Sequence, residues 1–341
     1  MRIALTFNRL RHGGEAEAEF DSLDTIRALA AWLGELGHRV TPVDVSCSVP
    51  ALIERLRRAA PELVFNLAEG TRGRFREAFY PALFEHLGLA HTGSGASTLA
   101  VCLDKALSKR IVAAAGARVA RTYTSWPVAM PVIVKPNFEG SSKGIDQASV
   151  VTDPARLLEV VASVRARYRS GVLVEEYVDG DDIAVAWVQG LGVLAPIRYV
   201  YAPTGPHRIL DLALKQAPER VGVELVDDDR LVAAAACVFA ALGVTGYGRA
   251  DFRVTPDAVY FLEMNPLPTL SPRDEDLYVA AAHAGFGPRE LLAAIVAASV
   301  PADLAGGNCA RPRRRTRRLR RDIGPVFRRD VEDHSRGSEL P

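Results

Sequence analysis

Apolar positions in the first fifth of the chain alternate between two spacings. Short continuous runs at residues 2–7, Val40–Val45 and Leu63–Asn66 read as buried strands. Between the first two, Leu23, Ile26, Leu29, Leu33 and Leu36 recur at helical spacing until Gly37 stops the pattern. Ala51–Ala60 supplies a second helix. The order strand, helix, strand, helix, strand predicts a parallel α/β sheet with right-handed crossovers, whose ligands gather at the carboxyl ends of the strands. Asn8, Asn66, Glu69 and the arginines after them stand at those ends. Asn66 and Glu69 also fit as ordinary turn residues.

The pattern changes after the Gly93-Ser94-Gly95 turn. Asp104 is placed to cap a helix running to Ala115 and closed by Gly116, and Pro131–Lys135 reads as a strand halted by Pro136. Asp153-Pro154 opens a helix to about Tyr168, and Val172–Val178 is another strand. Further on, Ile183–Val188 reads as a strand, and a long helix covers Asp229 to Leu242. Two strands, Tyr247–Val254 and Val259–Met264, then pair across a Pro256-Asp257 turn, followed by helices near Asp276–Ala284 and Pro288–Ser299. These shifts predict a division into 1–100, 101–180, 181–300 and a basic, disordered tail at 301–341.

Composition narrows the class. At 341 residues, 48% hydrophobic and 24% charged, the chain is an ordinary globular protein with room for two or three domains. Cys47, Cys102, Cys237 and Cys309 lack the spacing of a zinc site or a disulfide framework, which fits a reducing cytoplasm. No apolar run is long enough for a membrane span, and the start is too soon interrupted for a signal segment. The net charge of +1 conceals an asymmetry: residues 311–341 carry 11 arginines against 5 acids, while the rest carry 31 basic and 36 acidic residues. Eight of those arginines lie in Arg311–Arg321, a run of the kind that is usually a solvated tail, and it has no aromatic residues between its arginines for stacking on bases. Nucleic-acid binding rests on that tail alone.

Lysine use is more informative. Of the 42 basic side chains only five are lysines, at 105, 109, 135, 143 and 215. A chain that writes arginine elsewhere keeps lysine where a compact ammonium is needed. Lys135 ends a strand and is followed by the small-residue loop Glu139-Gly140-Ser141-Ser142-Lys143-Gly144, whose amides and hydroxyls suit phosphate oxygens. On the last two strands, Arg249 and Asp251 share a face, as do Glu263 and Asn265, and a hairpin sets the two faces together. Two carboxylates and a carboxamide suit a hard cation such as Mg²⁺. The strand at Glu175-Glu176-Tyr177-Val178 leads into an acidic turn at Asp179–Asp182, which suits either a nucleotide cleft or the surface. Neither a Walker cradle nor a dinucleotide-binding glycine fingerprint is present.

Taken in order, these segments resemble the ATP-grasp superfamily and, within it, the D-alanine–D-alanine ligases. The resemblance runs through Val64–Gly70, Leu87-Gly88, His91–Gly95, Leu103-Asp104-Lys105 with Lys109, Val132–Pro136, Glu139–Ser142, Gly248–Asp251 and Glu263–Pro268. It implies a fold of three lobes, an N-terminal parallel α/β domain and two α+β lobes enclosing an ATP cleft. By the same resemblance, Lys105 and Lys135 hold ATP phosphates with Glu139, Ser141 and Ser142 of the loop. Glu175, Glu176, Tyr177 and Val178 form the adenine hinge, and Asp182 takes the ribose with a side chain one methylene shorter than the usual glutamate. Asp251, Glu263 and Asn265 hold Mg²⁺, with Mn²⁺ as a substitute. Arg249 steadies the acyl phosphate, Ser141 helps in catalysis, and Lys215 lies on a mobile covering loop where Gln216 replaces a frequent tyrosine.

The implied activity is ATP-dependent joining of a carboxylate and an amine, on amino acids or peptides, in a cytoplasmic, peptidoglycan-related role for which a homodimer is compatible. Departures fall at the substrate end. Glu69-Gly70 replaces a histidine-glycine pair, Asp274 stands where a serine usually binds the second carboxylate, and the substrate glutamate stays open among Glu15, Glu17 and Glu19. A different acceptor amine, or a nucleotide-binding module without turnover, therefore remains open beside the D-alanine reading.

Overall fold

The structure is a computed structural model that describes residues 1–271 and 275–300. Asp274 and the basic tail at 301–341 lie outside the described residues. The first sheet has the expected parallel pairing. Strands β1 (Arg2–Phe7), β2 (Arg39–Asp44) and β3 (Leu63–Leu67) lie in the order β2-β1-β3, connected by helices α1 (Leu23–Glu35) and α2 (Val49–Ala59). Ser22 starts α1 by accepting the Thr25 N–H at 3.1 Å. The predicted stripe is buried at Ile26, Leu29 and Leu33, and each such side chain contributes about 1.5–3 kcal/mol. At the strand ends, Asn8 Oδ1 accepts the Gly70 N–H at 2.8 Å and Asn66 Oδ1 accepts from Ala68 N–H and the Thr6 hydroxyl, both at 3.1 Å. Asn66 is therefore a buried residue of β3 whose carboxamide braces the turn that follows the strand.

Two helices follow that the spacing did not predict, α3 (Arg76–His86) and α4 (Ala96–Leu103). Helix α5 (Lys105–Ala114) is capped as expected, Asp104 accepting the Leu107 N–H at 3.0 Å. A second sheet, antiparallel, has the order β5-β4-β6, from β4 (Val132–Pro136), β5 (Val150–Val151) and β6 (Val172–Glu176), with α6 (Leu157–Arg167) against it.

The third sheet contains β7 (Asp181–Val188), the short β8 (Gly192–Val193), β9 (Ile197–Tyr201), β10 (Val221–Leu225), β11 (Tyr247–Val254) and β12 (Val259–Asn265). Its order is β10-β9-β7-β11-β12, with β8 beside β7, and all pairs are antiparallel. A short helix, α7 (Leu212–Lys215), precedes β10, and α8 (Asp229–Ala241) packs on the sheet through Leu231, Ala235, Val238 and Phe239. Helices α9 (Glu275–His283) and α10 (Pro288–Ser299) return to the first sheet, where Leu291, Leu292 and Ile295 join the core of Ile3, Leu5 and Leu29. This return ties the two ends of the described chain together.

Candidate active site

The last hairpin forms one wall. Its register sets Arg249 opposite Asn265 and Asp251 opposite Glu263, and a bulge follows Asp251. The alternate residues Ala250, Phe252 and Met264 are buried against α8, so the four polar side chains share the other face. Arg249 donates a forked pair of hydrogen bonds to Asp251, at 2.7 and 2.9 Å. Asn265 Oδ1 accepts the Leu267 N–H at 2.9 Å, which orients the carboxamide.

The lysines form the facing wall. Lys105, at the start of α5, places Nζ 2.9 Å from Glu263 and also donates to the Glu139 carbonyl, so one ammonium bridges the second sheet's loop and the last hairpin. Burial would raise the Glu263 carboxyl, but Lys105 and then Lys215 outweigh it and hold it at about 2. Lys135 on β4 lies 2.8 Å from Glu175 on β6, and Lys109 of α5 binds the other oxygen of the same carboxylate. Glu175 is 1% exposed, and although burial opposes ionisation, Lys109 and Lys135 hold it down at about 2. Burial, with the neighbouring Lys135 ammonium, pulls Lys109 down to about 7. Four of the five lysines, Lys105, Lys109, Lys135 and Lys143, are buried.

These walls enclose a cavity of about 560 Å³ that continues into a second of about 100 Å³, the two sharing Lys105, Tyr199, Leu210, Lys215 and Glu263. The smaller is lined by Lys135, Tyr177, Val178, Asp182 and Asp251, the larger by Ser141, Arg249 and Asn265. Glu176 borders the smaller cavity, but its side chain is exposed and accepts the Arg121 N–H at 3.4 Å. Asp182 accepts from the Tyr201 hydroxyl and from Arg253 at 3.0 Å. The Tyr177 hydroxyl bonds the backbone of Arg208. Lys215, partly buried at the end of α7, borders both cavities.

In the small-residue loop the left-handed backbone falls on Ser141 (φ 49°) and Ser142 (φ 56°), with Gly144 (φ 69°) after them. Ser142 donates to the Leu210 carbonyl at 2.8 Å, which joins this loop to the segment before α7. Gly140 is required for another reason. A Cβ there would lie 2.1 Å from a Glu19 carboxylate oxygen.

Glu19 leads to a group the sequence did not reveal. The three open glutamates separate clearly: Glu15 bonds Tyr168, the Gly144 N–H and Arg167, whereas Glu17 accepts three N–H groups of its own loop, from Arg11, His12 and Gly13. Glu19 reaches inward to Arg76, at 3.2 and 3.1 Å, and to Lys143. Arg76 also donates to the Phe138 carbonyl at 2.6 Å and approaches Glu77 at 3.4 Å. Glu139 lies at the edge of this group, 3.7 Å from Lys143 and 4.0 Å from Arg76. Burial would raise Glu19, but Arg76 and Lys143 outweigh it and lower it; burial lifts Glu77 to about 7 and, with Glu77 and Glu19, raises Glu69 well above the carboxylate range. Residues 57 positions apart meet here, across loops and the start of α3, and no local spacing announces them.

A lysine-lined cleft between two antiparallel sheets, behind an N-terminal parallel sheet, is the ATP-grasp architecture. The family model described as the D-ala D-ala ligase C-terminus matches residues 113–297. D-alanine–D-alanine ligases of Anaeromyxobacter sp. (strain Fw109-5) and Gloeobacter violaceus are 34% and 32% identical to the chain, each covering 76% of it, and 86% and 88% of their own length is covered in turn. The chain belongs to the D-alanine–D-alanine ligase family and is an ATP-dependent ligase. In fold it matches the Bacillus anthracis D-alanine–D-alanine ligase solved with ATP, with a TM-score of 0.70 at 21% identity over 88% of this chain and 97% of that one. The VanG D-Ala:D-Ser ligase of Enterococcus faecalis gives 0.66 at 17% identity, over 87% and 99%.

Proposed function

We propose that this ligase activates the carboxylate of an amino acid or short peptide as an acyl phosphate and passes the acyl group to an amine. The carrying observation is the placement of Lys105 and Lys135 on one wall and Asp251, Glu263 and Asn265 on the other, around two joined cavities. Lobes at 1–100, 101–180 and 181–300 divide the work, the cleft between the last two taking the nucleotide. Adenine enters the smaller cavity beside Glu175 to Val178, and Asp182 faces the ribose. Lys105 and Lys135 neutralise phosphates, while the backbone of Ser141 and Ser142 closes over them. Phosphoryl transfer needs positioning and charge neutralisation more than a protein nucleophile.

In the first step a donor carboxylate oxygen attacks the γ-phosphorus and the bond to ADP breaks. In the second, the amine nitrogen attacks the acyl carbon, phosphate leaves, and the amine proton passes to solvent. Arg249 faces the charge that develops on the acyl oxygen. The hard oxygen donors of Asp251, Glu263 and Asn265 fit Mg²⁺, which when bound offsets triphosphate charge. Lys215 and the short α7 cover the site and keep water from the acyl phosphate.

The relatives' names make D-alanine the first donor and acceptor to try. Asp276 lines the larger cavity, its carboxylate accepting from the Tyr199 hydroxyl. Because Asp274 stands where the family's serine usually binds the second carboxylate, an acceptor without a free carboxylate is the alternative to D-alanine. The test is ADP release with Mg-ATP across D- and L-amino acids and short peptides, with product masses. Turnover should vanish in Asp251→Ala and Glu263→Ala, and a variant at full rate removes that residue from the metal set.

A further inference from the structure

We propose that Gln147 is a positioning residue for Lys215, its carboxamide latching segment 202–211 across the cleft; the consequence for turnover rests on the ligase reading above. Segment 202–211 leaves β9 of the third sheet and runs into α7, whose last residue, Lys215, borders both cavities. Gln147 belongs to the other wall. It opens a single turn, Gln147–Ser149, that leads into β5 of the second sheet. Asp146 fixes that turn by accepting the Ala148 and Ser149 N–H groups at 2.8 and 3.1 Å, while its own N–H donates to the Ser149 hydroxyl at 3.0 Å.

The contact has the form of a strand pair. The Gln147 carboxamide donates to the His207 carbonyl and accepts the His207 N–H, both at 3.0 Å, and it donates again to the Thr204 hydroxyl at 3.1 Å. Gly205, between these partners, gives the glutamine stem its room: a Cβ there would lie 2.8 Å from Gln147 Cγ and 2.9 Å from its Cδ and Oε1. Residues 202–206 are exposed, so burial of apolar surface does not fix them. Thr204 passes the hold onward. Its hydroxyl donates to Asp211 at 2.6 Å, and Asp211 caps α7 by accepting the Leu214 N–H at 2.9 Å. The Lys215 N–H donates to the Asp211 carbonyl at 3.1 Å, so an unbroken chain of hydrogen bonds joins Gln147 to the backbone of Lys215.

Two other side chains of the second sheet's lobe grip the same segment. Ser142 donates to the Leu210 carbonyl at 2.8 Å, and the Tyr177 hydroxyl bonds both backbone groups of Arg208, at 2.9 and 3.1 Å. Both residues line the smaller cavity, so a bound nucleotide acts on them directly. Gln147 lines neither cavity. It therefore sets the position of the segment without touching the ligand. A carboxamide that bridges the two walls stabilises only the arrangement in which they are joined, and its loss frees the tip of the segment while the foot at Arg208 keeps its bonds.

The experiment is hydrogen–deuterium exchange of the full chain, read at single amides, with and without Mg²⁺ and a non-hydrolysable ATP analogue. In Gln147→Ala and Gln147→Met the Leu214 and Lys215 amides, whose own acceptors are untouched, should exchange about tenfold faster than in wild type, and the analogue should leave about threefold faster. Gly205→Ala, which drives a methyl onto the glutamine stem, should give the same acceleration and add nothing to Gln147→Ala. Faster exchange confined to His207, which loses its acceptor, overturns the proposal, because a local brace moves that amide alone. Independent addition of the two substitutions overturns it, as does unaltered release of the analogue from variants that bind it. Amides of β11 report global stability, and acceleration there equal to that at Lys215 in Gln147→Met also overturns it. The two readings separate: absent uptake of the analogue by the wild-type chain refutes the ligase assignment, while exchange in the free chain still decides this one.

Discussion

Glu175→Gln tests the buried charge group at the centre of the cleft. The substitution keeps the side chain's size, removes its charge, and leaves the ammoniums of Lys109 and Lys135 in positions 2% and 6% exposed. The fall of this carboxyl from 4.5 to about 2 corresponds to roughly 3 kcal/mol of native-state stabilisation. Removing one member of a buried ion pair costs about 3–5 kcal/mol by a separate line of measurement. Lys109, already pulled down to about 7, can shed its proton and relieve part of the strain, which favours the lower figure. Loss of about 3 kcal/mol lowers Tm by roughly 4–5 °C for a cooperative unit of this size. Urea unfolding of both proteins at pH 7.5 and near pH 3 reads the effect. A carboxyl with a lowered native pKa gives stability that is complete above about 4.5 and fades as pH falls toward 2, so the gap should shrink in acid. A gap under about 1 kcal/mol at pH 7.5, or one that does not narrow in acid, refutes the assignment of Glu175 as the shared counter-ion.

Other expectations are as direct. Gly140→Ala forces its methyl onto the Glu19 carboxylate, and because Arg76 and Lys143 hold that carboxylate, the cost should be about 1–3 kcal/mol, visible in thermal melts. Asp21 and Glu77 behave opposite to Glu175: each rises to about 7, so the native state binds more protons than the unfolded chain from about pH 4 to 7 and stability falls as pH rises through that window. Wild-type Tm should accordingly peak at mildly acidic pH, and Glu77→Gln should flatten the decline above it; an unchanged profile removes Glu77 as a contributor.

Much of this molecule was legible where one segment carried its own signal. The Asp104 cap, the helical stripe from Leu23 and the pairing of Asp251 with Glu263 each follow from spacing within a few residues. Helices α3 and α4 did not, because α3 contains Pro81 and buries polar Arg76 and Glu77 beside Ala78, Tyr80 and Phe84, which erases the apolar period. Strands β9 and β10 escaped as well. The first alternates weakly through Arg198, Tyr199 and Val200, and the second is an edge strand holding Gly222. The lysines were informative because arginine dominates elsewhere, whereas the Glu19–Arg76 meeting depends on three loops whose approach no local pattern encodes. Glu176 borders the smaller cavity, but its side chain faces outward, which the strand's spacing alone did not reveal.

The scarcity of lysine has a practical consequence. Four of the five ε-amines are shielded, and the described segments and the tail together hold no others. An acylating reagent used sparingly should therefore mark Lys215 and the amino terminus, and peptide mapping would follow the segment at the end of α7 as a single reporter. Protection of that one amine by Mg-ATP would test, without any engineered label, whether this segment moves over the cavities it borders.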